Sequence, residues 1–245
     1  AEVDRSTFAA RAAMESGDLE IAEKQLAAAR VVAESAGAIA ASIDNDITGL
    51  EREIQERKQQ QKRFDRFLHL SNSYWTNNDD AHHDSEAQQA LELYGVLSDE
   101  KWTEKLGSSY LGEDQQASVR ERAYEVLLQL ADLPHWKRSD ESINKSMHYL
   151  EVAADFHEPT RSYYRLRQEC YAYLKQWDRK KEFEELYNNT PASTVFDHFL
   201  TGQRVSRSKN GNLRDAIKNY EQALDMEPDN FRALFFLAIR LGGAG

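Results

Sequence analysis

Chemistry in this chain would have to come from seven histidines, one cysteine and a surplus of carboxylates. The densest cluster is His82-His83-Asp84. Adjacent side chains point apart and no clear third ligand lies nearby, so it reads as a solvated turn and no metal site is assigned. His69, His135, His148, His157 and His198 are scattered, without a Ser or Cys partner in a recognisable arrangement. The expectation is therefore no catalytic residue and no cofactor site. Cys170 shares a helical stripe with Tyr163, Leu166 and Leu174, which makes it a core thiol, and a lone cysteine leaves the redox compartment open. Trp75, Trp102, Trp136 and Trp177 fall near expected helix ends or loops. Packing of connections is the expected role, with partner anchoring as the alternative.

The elements that must position these groups are helical. Only 11 Gly and 4 Pro occur in 245 residues, and period-two alternation is absent at useful length, which disfavours sheet. A net charge of −11 argues against non-specific nucleic-acid binding, and no apolar run approaches the roughly 20 residues of a membrane helix. The first residues, about 3 to 35, read as an Ala-rich hairpin broken at Ser16-Gly17-Asp18. From Ala38 to about Thr76 a long helix is expected, with a seam at Ile43, Ile47, Leu50 and Ile54 that falters at Arg57 and Gln61. That pattern suits a helix of about 57 Å lying on its neighbours better than a free coiled coil. A shorter helix follows, then an irregular connection from Gly95 to Gly112. Helices from about Asp114 to Leu133 and from Asp140 to Phe156 come next.

Pro159, Pro191 and Pro228 are spaced by 32 and 37 residues, and the best-formed copy carries Gly202, Asn210-Gly211-Asn212-Leu213, Ala216, Tyr220, Ala223 and Pro228. These residues resemble the tetratricopeptide repeat, a helical hairpin of about 34 residues. Small residues let two helices approach, and the tyrosine wedges between hairpins. The proline ends the second helix. Phe231 to Leu241 resembles the first helix of another copy, with Leu234, Leu237 and Leu241 on one face. Ala10, Gly17, Asp18, Leu19, Ala22 and Ala29 carry the likeness in the N-terminal hairpin. Residues 160 to 191 carry it with departures, Arg167 or Gln168 falling where a small residue belongs and Lys175-Gln176-Trp177-Asp178 replacing the glycine turn, and between residues 35 and 160 the resemblance is architectural only.

The expected fold is thus all-α: a tetratricopeptide-like helical-hairpin solenoid with one long helix. Its parts would be the hairpin 1–36, the long and shorter helices 37–96, a degenerate hairpin with its preceding loop 97–159, and repeats 160–245. The stretches Arg120 to Ala131, Pro159 to Tyr163 and Asp197 to Gly202 are also similar to the C-terminal extensions of large bacterial serine/threonine kinases with such repeats. That resemblance implies a regulatory piece of a longer signalling protein. Its compartment stays open, cytoplasmic or outside a membrane if a membrane helix precedes it. Phosphate-loop and catalytic-loop motifs of a kinase are not in this sequence.

Residues 160–245 hold 14 Lys/Arg against 11 Asp/Glu, so the acidic surplus lies upstream. The family implies a concave groove lined by first helices. Helical phase puts Arg161, Tyr164, Arg165, Gln168 and Tyr171 opposite the Cys170 stripe, and Gln203, Arg204 and Arg207 off the Phe199 packing face. The expected function is protein interaction, these eight residues receiving a protein or peptide, an acidic one among the candidates. The alternative is a structural module that self-associates. Arg165 and Arg207 are expected to face solvent.

Overall fold

The computed structural model describes residues 2–35, 41–73, 80–132, 139–207 and 211–242, with the side chains of 41, 42, 73, 80–83 and 207 outside that description. Among the described residues there are twelve helices and no strand. The chain divides into two compact units, residues 1–68 with 101–117 and residues 69–100 with 118–245.

In the first unit, α1 (Glu2–Glu15) and α2 (Leu19–Ser35) form the expected hairpin. Gly17 turns the chain at φ 81°, a left-handed value that suits glycine, and the Asp18 carboxylate accepts the Ile21 amide to start α2. Ala10, Ala13, Ala22 and Ala29 let α1 and α2 come close, and Ile47, Leu50 and Ile54 of α3 (Ala41–Ser73) complete the same core. The long helix therefore lies on the hairpin. Its seam falters at Arg57 because that guanidinium has other work. Nη1 donates to the Met14 carbonyl at 2.9 Å, closing the end of α1, and the group sits 5.0 Å from the centre of the Tyr110 ring. Arg30 grips Glu51 with two hydrogen bonds of 2.9 and 2.8 Å, tying α2 to α3. The stretch expected to be irregular holds a short helix, α5 (Trp102–Gly107), whose Trp102 and Leu106 are buried.

The second unit contains α4 (Asp80–Leu93), most of α6 (Glu113–Ala131), and α7 (Asp140–Phe156), which opens with a Ser139–Ser142 capping box. After it come two tight hairpins, α8 (Arg161–Tyr173) with α9 (Trp177–Asn189) and α10 (Val195–Arg207) with α11 (Leu213–Met226). The last helix is α12 (Phe231–Gly242). At Gly202 a Cβ would stand 2.7 Å from Cε1 of Tyr220, so only glycine admits that ring between α10 and α11. Tyr220 in turn lies 6.1 Å from Phe199 and 6.2 Å from Phe236 of α12, centroid to centroid, wedging the hairpin against the next helix as the repeat pattern predicts. Asn230 caps α12 by accepting the Ala233 amide. Leu133 and Pro134, where α6 is expected to stop, lie outside the described residues, as does Asn210 of the expected turn.

Candidate docking surfaces

The α8 face that the sequence assigns to a ligand faces α9. Ring centroids of Tyr164 and Tyr171 lie 6.3 and 5.3 Å from that of Phe183 in α9, and the Arg161 guanidinium sits 4.5 Å over the Tyr187 ring. Arg167 joins them, 5.4 Å from the centres of both Tyr171 and Phe183. These cation–π and ring contacts hold the hairpin. Gln168 is half-buried. The opposite stripe, Tyr163, Leu166 and Cys170, is buried as expected.

Arg165 corrects the expectation of a solvated face most sharply. It is 5% exposed, with Nη1 donating to Glu169 at 2.9 Å and Nη2 3.6 Å from Asp132, the residue that follows α6. Burial opposes its charge, but Asp132 and Glu169 outweigh that and hold the guanidinium above its usual range. Gln203 is also buried, Arg204 is exposed, and the Arg207 side chain lies outside the described residues. The structure therefore gathers the α8 residues into their own hairpin. Helical phase shows which residues share a face; it does not show which neighbour covers it.

The start of α8 is satisfied from other helices. The Thr160 amide donates to the Tyr124 hydroxyl of α6 at 2.9 Å, and the Ser162 amide donates to the buried Asp197 carboxylate of α10 at 2.8 Å. Burial pushes the Tyr124 phenol well up, keeping it neutral and able to donate to Thr160 Oγ1. His157, at the end of α7, stacks on Tyr124 with centroids 3.8 Å apart. Its Nε2 lies 2.9 Å from Glu121 Oε2 and its Nδ1 2.7 Å from the Glu158 carbonyl. Both ring nitrogens thus meet acceptors, an arrangement that only the imidazolium satisfies in full. The Glu121 hydrogen bond raises the His157 pKa, and the same bond lowers that of Glu121.

Beside this cluster, α6, α10 and the α11–α12 corner enclose an open cleft of about 380 Å³. Val195, Phe196 and Met226 give it apolar walls, and Glu121, Glu125 and Glu227 face it with Arg122. Glu125 Oε2 accepts from Arg122 at 3.2 Å and from the buried Arg232 of α12 at 2.7 Å. Arg122 is a local partner three residues away, but nothing in the local sequence marks Arg232, which comes from 107 positions away.

Other expected features distribute as follows. Trp102 is buried, whereas Trp177, expected to pack a connection, is 62% exposed. Trp75, Trp136 and the side chains of His82 and His83 lie outside the described residues. Phe231, Leu234, Ile239 and Leu241 of α12 are exposed. Among the described residues no helix is long and apolar enough to cross a membrane. Compared with protein-family models, with curated proteins and with solved structures, the chain matches none. What the structure itself establishes is an all-α chain of packed helical hairpins, compatible with a tetratricopeptide-like fold.

Proposed function

We propose that this chain is a non-catalytic protein-interaction module that takes a peptide segment bearing a basic side chain into the cleft between α6, α10 and the α11–α12 corner. The observation that carries this reading is the cleft's lining: apolar walls for a side-chain stem, and for its charged end Glu227, whose hydrogen-bond partner is the neutral Asn230 amide, while Glu121 and Glu125 are held by His157, Arg122 and Arg232. Tetratricopeptide-like hairpins offer such preformed surfaces to extended or helical segments. The resemblance to kinase extensions would make the module the regulatory or sensing part of a larger signalling protein. The acidic ligand expected for the α8 face is not carried over to this cleft, because Glu227 would repel it.

Panning a displayed library of random 12-residue peptides on the intact chain tests the reading. Enriched peptides should carry Lys or Arg beside an apolar residue. Met226→Lys and Glu227→Lys should each weaken their binding at least tenfold, while Arg204→Glu leaves it unchanged. Peptides that ignore both cleft variants, with helicity intact, would end the reading.

Self-association is the second reading, favoured by the exposed Phe231, Leu234 and Leu241 on α12. Mass measured over a concentration series decides it: growth that Leu234→Glu with Leu241→Glu abolishes supports it, and constant mass removes it.

A further inference from the structure

We infer that His157 is a proton-operated latch on Glu121: the charged ring holds that carboxylate, and loss of the ring proton releases it to strengthen the cleft's grip on a basic side chain. This regulation rests on the cleft reading above. Glu121 lines the cleft with its side chain 49% exposed, and Nε2 of His157 lies 2.9 Å from its Oε2. The imidazole is 21% exposed and stacked on Tyr124, with centroids 3.8 Å apart. Stacking keeps the ring in one plane between two acceptors, the Glu121 carboxylate and the Glu158 carbonyl, which is 2.7 Å from Nδ1.

Only the imidazolium can donate to both acceptors. Once neutral, the ring keeps one N–H and turns a lone pair toward the other acceptor. The two acceptors differ in freedom. The Glu158 carbonyl belongs to backbone fixed by Pro159 and by the Thr160 amide, which donates to the Tyr124 hydroxyl at 2.9 Å. Glu121 hangs on a flexible side chain with water at hand. The remaining proton therefore sits on Nδ1, facing the carbonyl, and the bare Nε2 repels the carboxylate. Arg122 and Arg232 stay with Glu125, at 3.2 and 2.7 Å, so the released Glu121 adds its charge to that of Glu227 in the cleft.

The surrounding charges set where the step falls. Glu121, Arg122 and Glu125 come from α6, Glu158 adjoins the ring in sequence, and Asp197 of α10 and Arg232 of α12 stand behind. The Glu121 hydrogen bond outweighs burial, so the ring gives up its proton above the ordinary histidine value of about 6.5. Tyr124, pushed well up by burial, stays neutral over the same range. Lys and Arg side chains of a peptide keep their charge there. Affinity for a basic peptide should therefore rise with pH, by about fivefold for one unit charge added close to it at a wet surface.

The latch is tested first without any peptide, on the intact chain with isotopically labelled histidine nitrogens, whose chemical shifts distinguish the ring tautomers. His157 is assigned by the signals that His157→Gln removes. Above its midpoint the neutral ring should carry its proton on Nδ1; a proton on Nε2, still donating to Glu121, overturns the inference. The second arm takes a basic 12-residue peptide from the panned library, one whose binding Glu227→Lys weakens. It should bind about fivefold more tightly at pH 9 than at pH 6, and His157→Gln should bring that ratio to about one. Equal affinity at the two pH values, or a ratio that survives His157→Gln, overturns the inference. Should His157→Gln lose its helicity, the tautomer and the ratio in the unaltered chain still decide. Failure of the cleft reading is a separate result: no peptide then depends on Glu227, and the regulation falls with it.

Discussion

Arg232, the second residue of α12, places Nη1 2.7 Å from Oε2 of Glu125 in α6, 107 positions away in sequence and with its own side chain 5% exposed. The same oxygen takes a second bond from Arg122, whose side chain is 25% exposed. The partners are therefore not equivalent. Glu125→Leu takes the hydrogen-bonded carboxylate from a buried guanidinium, whereas Arg232→Met leaves Glu125 with Arg122. Removing one partner of a buried pair costs about 3–5 kcal/mol, so Glu125→Leu should approach that range and Arg232→Met fall below it. Urea unfolding of both variants measures the difference, and an equal or reversed order would refute the asymmetry.

Gly202→Ala should destabilise the α10–α11 hairpin by about 1–3 kcal/mol, because its Cβ would meet ring carbons of Tyr220 at 2.7 and 2.9 Å. Tyr220→Leu, which withdraws the ring, should recover part of the loss in the double variant. Strict additivity in thermal or urea unfolding would show that the ring is not the obstacle.

His157 sets a pH window for the second unit. Its folded pKa is raised by Glu121, so its contribution is complete below about 6.5, the unfolded value, and is lost as pH rises through the folded value. Glu121 has its pKa lowered by the same bond, so its contribution is present above the ordinary carboxylate value and is lost as pH falls through the lowered one. Around the imidazole stand Glu121, Arg122 and Glu125 of α6 and Glu158 beside it, with Asp197 of α10 and Arg232 of α12 behind. Stability measured from pH 5 to 8 should decline toward the upper end, and His157→Gln should flatten that decline. An unchanged profile in the variant would assign it to other groups.

Arg165→Glu should unfold or strongly destabilise the chain, since it would set a carboxylate beside Asp132 and Glu169 in a buried place. Arg204→Glu, on an exposed position of α10, should change stability by no more than about 0.5 kcal/mol. Melting temperatures of the two variants, compared side by side, decide whether α8 and α10 differ in this way.

The hairpins were legible because their determinants are local. Gly17 and Gly202 mark a turn and a close approach, and the 3.6-residue stripes of α2 and α8 name their buried sides. The α5 helix was hidden because six residues carry too little periodicity to declare themselves. The cover that α9 gives the α8 face was hidden for a different reason. A helix with aromatic residues on two sides can bury both, and only the position of Phe183 and Tyr187 reveals that it does. Likewise, the amides that open α8 find Tyr124 and Asp197, residues 36 and 35 positions away, which no local capping pattern announces.

The span between Arg232 and Glu125 also orders events in time. Tyr220 meets Gly202 across a short loop, so that hairpin closes at little entropic cost. The buried ion pair closes a span of 107 positions at a larger cost in chain entropy, and it is expected to form after the hairpin. Substitutions at Arg232 should accordingly speed unfolding while leaving the folding rate nearly unchanged, a split that the two arms of a chevron plot measure.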